Sequence, residues 1–319
     1  MGNIIDELKR KINGKGLRIV FPESHDERIL EAATKLCNEG IVQPILLGNI
    51  KDVPNKFNVS HCEFIDPKNY KDFDKMVESF VERRKGKTTT EEAKKLLINE
   101  NYFGTMLVYL GKADGLVSGA TRSTGDTVRP ALQIIKTKPG ISRTFGYFLM
   151  RRDNEKYIFT DCAINPNPTA EQLAEFAVES AKAAEMFGLD PKVAMLSFST
   201  NGSADTEESQ KVALATKIAQ EKDSGYKIDG EMQFDAAIIP SVGLKKYPGS
   251  LVAGKANTFI FPDLNSGNIG YKIAQRLGGF EAMGPILAGL NKPINDLSRG
   301  CNAEDIYKTA IITAAQAIK

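Results

Sequence analysis

Four side chains with complementary chemistry lie within eight residues near the end of the chain: a hydroxyl (Ser298), a guanidinium (Arg299), a thiol (Cys301) and a carboxylate (Asp305). An arginine suits bidentate contact with phosphate, and a nearby carboxylate can serve as a base. The same segment also spells a helix start, with Asn302 as N-cap and Asp305 at N3 of a capping box. A second constellation runs from Asp114 to Gly140. An apolar run, Gly115-Leu-Val-Ser118, passes through Gly119-Ala-Thr-Arg-Ser-Thr-Gly125 into a helical pattern from Asp126 to Lys136. Strand, small-residue loop and helix start form an anion-binding geometry, because the first helical N–H groups lack partners and the dipole there favours negative charge. Ser118, Ser123 and Thr124 add hydroxyl donors, and Arg122 and Arg129 add cations. The competing role is a capped helix, with Thr124 as N-cap and Asp126 in the first turn.

Other chemistries find less support. Gly249-Ser-Leu-Val-Ala-Gly-Lys255-Ala256 nearly spells a nucleotide P-loop. Ala256 cannot ligate magnesium, however, and an apolar run follows where a helix should. No Gly-x-Gly-x-x-Gly follows a strand, so a dinucleotide site is not expected. The only two histidines, His25 and His61, and the scattered cysteines show no zinc-ligand spacing.

The elements that position these residues alternate. Strands are expected at 17–21, 41–47, near Phe64-Ile65 and at 115–118. Helices are expected at 26–38, 70–84, 90–110 (capped by Thr90) and 126–136. After Gly140 a hairpin, 143–150 with 156–163, is a candidate domain entry. Helices follow at 170–187, 205–222 and 265–277, with strands at 193–199, 234–239 and 258–261. A polar loop over 291–300 leads to a last helix from Ala303. This order argues for an α/β fold with mostly parallel sheets. Two lobes are expected, 1–140 with 296–319 and 141–295, sharing a cleft in which the two constellations face each other as opposite walls. Length and composition agree: 319 residues, 42% hydrophobic and 26% charged, suit a globular chain of two lobes. A net charge of +2 excludes a global field for nucleic acid or an anionic membrane. The first twelve residues read as an amphipathic helix without a signal-peptide core. No apolar run reaches the ~18 residues of a membrane span. With four separated cysteines read as reduced thiols, a cytoplasmic location is expected.

With both constellations in view, the chain resembles the phosphate acetyltransferase (phosphotransacetylase) family in its short single-unit form. The segments that carry the resemblance are ADGLVSG, STGDTVRPALQIIKTKPG, DCAINPNPTAEQLA, DGEMQFDAA, PGSLVAGKANTFIFPDLNSGNIGYKIAQRLGG, GPILAGLNKP and NDLSRGC. They run in the family's order over roughly everything after residue 100. Arg122 stands where many members carry histidine. The resemblance implies two lobes of the isocitrate/isopropylmalate dehydrogenase type, an interlobe active site and a homodimer. It implies reversible transfer of acetyl between coenzyme A and phosphate, with no prosthetic group. Its catalytic serine, arginine and aspartate fall on Ser298, Arg299 and Asp305. Its coenzyme A- or phosphate-binding arginine in the VRP motif falls on Arg129, and a second, at a basic helix end, on Arg83.

The implied mechanism is direct attack of the coenzyme A thiolate on acetyl phosphate. A thiol near pKa ~8.5 and an ordinary aspartate near ~3.9 are mismatched by roughly 4–5 units. Asp305 therefore serves as base only with a raised pKa or a stabilised thiolate, a task for Ser298. The rivals are an acyl-enzyme on Cys301, a different acyl-chain specificity, and a non-enzymatic module that binds coenzyme A or acyl phosphate.

Overall fold

The runs 17–21 and 115–118 are apolar on both alternating faces, so only a sheet covered on both sides can bury them. In the computed structural model, which describes residues 4–222 and 225–318, they are β1 (Arg18–Phe21) and β4 (Gly115–Ser118). With β2 (Gln43–Leu47), β3 (Glu63–Ile65) and β11 (Ile294–Asp296) they form a sheet of order β11-β4-β1-β2-β3. Every pairing is parallel. Strands β1 to β3 run outward in one direction and β4 lies on the other side of β1. The order therefore reverses between β1 and β4, the place where α/β sheets hold ligands beyond their strand ends.

The helices of this unit are α1 (Ile4–Ile12), α2 (Glu27–Glu39), α3 (Phe73–Arg84), α4 (Thr90–Leu97), α5 (Glu100–Tyr109), α6 (Thr124–Pro130) and α12 (Ala303–Ala317). Helix α5 packs on Val20 and Leu116, and α12 packs on Ile19 and Gly115. Because neighbours along a strand point to opposite faces, the two helices cover opposite sides of the sheet. The start expected over residues 1–3 lies outside the described residues.

The second unit carries β5 (Phe145–Arg152) and β6 (Glu155–Thr160), the expected hairpin, with β10 (Glu281–Ala288) antiparallel to β5. Parallel strands β9 (Thr258–Ile260), β7 (Lys192–Leu196) and β8 (Lys227–Met232) complete the order β10-β5-β6-β9-β7-β8. Its helices are α7 (Ala170–Met186), α8 (Glu207–Glu221), α9 (Phe234–Ile238), α10 (Pro240–Lys246) and α11 (Leu264–Arg276). Phe148, Met150, Phe159, Met232 and Phe259 are among its buried core. The α/β class with mostly parallel sheets is as expected. No helix among the described residues is long and apolar enough to cross a membrane.

Several boundaries differ. The units are Met1–Lys138 with Leu290–Lys319, and Pro139–Gly289. The return falls before 296 because Ile294–Asp296, expected as loop, is a strand paired with β4. The helix expected over 90–110 is two helices, because the Asn99 side chain accepts the N–H groups of Asn101 and Tyr102 and starts a new one. Thr89 rather than Thr90 caps the first of them. The 234–239 run is helical, since an apolar run so short carries no period that distinguishes strand from helix. The actual strand is Lys227–Met232, whose charged and glycine residues disguised it. Beyond Pro130, which has no N–H to donate, residues Ala131–Ile135 form a π turn.

Candidate active site

The loop after β4 does bind an anion, and that anion is internal. Glu23, two residues past the end of β1, has 0% exposure. Its carboxylate accepts the N–H groups of Gly119, Ala120 and Thr121 at 2.8, 3.0 and 2.7 Å, and the Thr121 hydroxyl at 2.7 Å. Ser118 Oγ donates to Asn101 Oδ1 at 2.9 Å and lies 3.3 Å from Glu23. Ser118, expected as a phosphate ligand, is thus wholly buried and already engaged. The loop's amide groups are filled by the protein's own carboxylate.

A second carboxylate stands beside the first. Asp296 ends β11 opposite Ser118 and is 3% exposed. Its Oδ2 accepts the Thr124 hydroxyl at 2.6 Å. The Thr127 hydroxyl lies close enough to help hold charge there, yet neither it nor Asp296 Oδ1 has a hydrogen-bond partner among the described residues. Burial pushes the Asp296 carboxyl up to about 6; the two threonine hydroxyls oppose this and Glu23 reinforces it. Gly119 makes the approach possible. Its φ is +117°, and a Cβ there would meet Asp296 Oδ1 and the Leu297 backbone at 2.6 Å.

Thr124 is exposed at the start of α6. Ser123, rather than Thr124, caps that helix: its N–H and hydroxyl both engage Asp126 Oδ2, at 3.1 and 2.7 Å. Arg129 is exposed on the same helix, and Arg122 pairs with Glu100 at 2.6 Å.

The Leu297–Asn302 loop is held from below by one arginine. Arg28 donates to the carbonyls of Arg299 and Cys301 at 2.9 and 2.8 Å, and to that of Ala120 at 2.9 Å. Asp26 balances its charge through a two-pronged contact, and the arginine holds that carboxyl below its ordinary range. With its backbone fixed, the loop presents Ser298 and Arg299 to solvent. Asp305 is exposed too and performs the capping role read from the sequence: Oδ2 accepts the Asn302 N–H at 3.0 Å. Cys301 is buried, and that burial pushes its thiol up to about 11. The two constellations are therefore not opposite walls. Both rise from the first unit, joined where the Leu297 N–H donates to the Ser118 carbonyl at 2.7 Å.

Arg83 sits apart from this centre in its bonding. Its guanidinium donates to the carbonyls of Ile134 and Ile135 at 2.6 and 3.0 Å and stacks on Tyr109. Its charge, with those of Lys85, Lys87 and Arg84, lowers the pKa of Lys136, marking a dense basic patch. The P-loop-like segment lies between α10 and β9 and so lacks the strand-to-helix context. Glu23, Arg28 and Asp296 escaped sequence reasoning. Glu23 carried one usable signal, its place just past the first strand, where chemistry collects in α/β folds.

Known proteins bear on this arrangement. The model of the phosphate acetyl/butaryl transferase family matches residues 3–314. The chain is similar to the phosphate acetyltransferase of Staphylococcus epidermidis, at 59% identity over 100% of both chains. It is similar to that of Bacillus subtilis at 57%, again over 100% of both. A solved phosphotransacetylase from Streptococcus pyogenes is 60% identical, with a TM-score of 0.96 over 98% of each chain.

Proposed function

We propose that this chain, which belongs to the phosphate acetyl/butaryl transferase family, does its chemistry beyond the carboxyl end of β11, on Ser298, Arg299 and Asp305. The reaction is acetyl transfer between coenzyme A and phosphate. The placement rests above all on the exposed Ser298-Arg299 turn, which Arg28 clamps to the Ala120 end of the loop after β4.

In the proposed mechanism the coenzyme A thiolate attacks the carbonyl carbon of acetyl phosphate, a C–S bond forms, and the C–O bond to phosphate breaks. Asp305 takes the thiol proton on Oδ1, since Oδ2 is held by the Asn302 N–H. That proton transfer is uphill for an ordinary carboxylate, so Ser298 donates to the forming thiolate and shares the task. Arg299 binds the phosphoryl oxygens and offsets the charge that builds on the leaving group. Thr124, Ser123 and Arg129 complete the phosphate side. The basic patch around Arg83 and Lys136 takes the phosphates of coenzyme A. Coenzyme A is a substrate in this scheme, and no prosthetic group is called for.

Replacing Arg299 with Gln should lower kcat/KM for acetyl phosphate by about 10²–10³-fold; unchanged steady-state rates would sink the assignment. Asp305→Asn should lower kcat by at least ~10²-fold with both KM values held. A variant with normal kcat would remove Asp305 as base.

A cytoplasmic homodimer completes the proposal. Four free cysteines suit the reducing compartment. The second unit exposes apolar side chains that a second copy would cover, among them Leu244 at 74%, Leu251 at 65% and Leu277 at 86%. Sedimentation of Leu277→Asp as a monomer would support that face, and an unchanged dimer would discard it.

A further inference from the structure

Among the described residues, Asp296 is the one buried carboxylate of this sheet edge with an oxygen that lacks a hydrogen bond. Glu23 beside it has its charge matched by three amide groups and a hydroxyl. Asp296 accepts the Thr124 hydroxyl on Oδ2, while Oδ1 is buried and, although the Thr127 hydroxyl is near, makes no hydrogen bond among the described residues. A buried polar atom without a partner calls for an explanation. Where two carboxylates share a dry site, the less well solvated one holds the proton.

The hydroxyl it meets has one hydrogen to give. If Asp296 is charged, Thr124 must point that hydrogen inward. If Asp296 carries a proton, it can donate to Thr124 Oγ, and the threonine hydrogen is free to point outward. We propose that Asp296 is a positioning residue for phosphate: its protonated form turns the exposed Thr124 hydroxyl into a donor toward a phosphoryl oxygen. This rests on the reading that phosphate sits against Thr124 and Arg299.

The surrounding charges favour such a switch. From the β1–α2 loop the facing groups are Glu23, which is negative, and the Asp26–Arg28 pair, which is self-balanced. His25 lies 3.5 Å from the Thr121 hydroxyl. On α6, Asp126 is spent on Ser123, with Arg122 and Arg129 beside it. On its own loop are Arg299 and the neutral Cys301, and at the start of α12 is Asp305. Burial first, and then Glu23, raise Asp296 to about 6, so the switch falls between pH 5 and 7.5.

The test is the KM for phosphate from pH 5 to 7.5 in the wild type, Asp296→Asn, Thr124→Val and Thr124→Ser. The amide of Asn donates at every pH, so the ratio of wild-type to Asp296→Asn KM cancels the ionisation of phosphate itself. That ratio should rise about tenfold across the range, the loss of one hydrogen bond to a charged group, while the KM for coenzyme A shows no such trend. Thr124→Ser should keep the wild-type profile and Thr124→Val should flatten it, a contrast that stands even if Asp296→Asn folds poorly. A flat ratio, with Thr124→Val still raising the KM, overturns the role of Asp296 and leaves the phosphate site intact. An unchanged KM in Thr124→Val overturns the placement of phosphate and this inference with it.

Discussion

Both sheets tie down the loops at their strand ends with a buried carboxylate, yet the two edges are finished differently. In the second unit Asp161, at the end of β6, accepts the N–H groups of Gly146, Ala163, Ile164 and Asn165 and the Asn165 side-chain amide. In the first unit Glu23 is satisfied in the same manner, but Asp296 beside it is not. A carboxylate wrapped in donors is an internal anchor with one stable state. One with a free oxygen in a dry site is poised between two protonation states. Incomplete satisfaction thus separates the edge on which the proposed chemistry lies from the edge whose carboxylate is fully bonded.

The two satisfied anchors carry the largest expected effects. Glu23→Ala and Asp161→Ala each strand several buried N–H groups, and each should cost about 3–5 kcal/mol in urea unfolding. A loss below about 1 kcal/mol in either would show that its loop is held by other means. Gly119→Ala adds a Cβ at 2.6 Å from Asp296 Oδ1, in a backbone region that L side chains avoid. It should cost about 3 kcal/mol, and a neutral result would mean that the loop can shift away from Asp296.

Asp296→Asn sharpens the contrast through pH. A carboxyl raised in the folded state contributes most below its unfolded pKa, and that contribution is lost as pH rises through the folded value. For Asp296 the window runs from the ordinary 3.8 to about 6. The stability of the wild type relative to Asp296→Asn should therefore fall by on the order of 2–3 kcal/mol between pH 4 and pH 7. No trend would place Asp296 with the satisfied anchors. The smallest effect belongs to Cys301→Ser. With the thiol buried and its pKa near 11, kcat should stay within about threefold of wild type, whereas an acyl-enzyme on Cys301 requires almost complete loss.

Much of this architecture was legible from local pattern. The runs at 17–21 and 115–118 show in their apolar composition, and the hairpin after Gly140 and the capping box Asn302 to Asp305 rest on interactions between residues close in sequence. What could not be read was pairing at a distance. Ile294–Asp296 is a strand only because β4 offers it a partner, and three residues show no period. The anion-binding loop was recognised, but its occupant lies 96 residues upstream of Gly119, in Glu23.

Patterns along the chain carry the two-unit α/β order, the family, and the clustering of Ser298, Arg299 and Asp305. Folding alone brings Glu23 to the loop after Ser118, sets Arg28 under the Ser298-Arg299 turn and leaves Asp296 with a bare oxygen. The physical reason is that propensity and periodicity act along the chain. Desolvation and hydrogen-bond satisfaction depend instead on which distant groups the fold brings within 3 Å of one another.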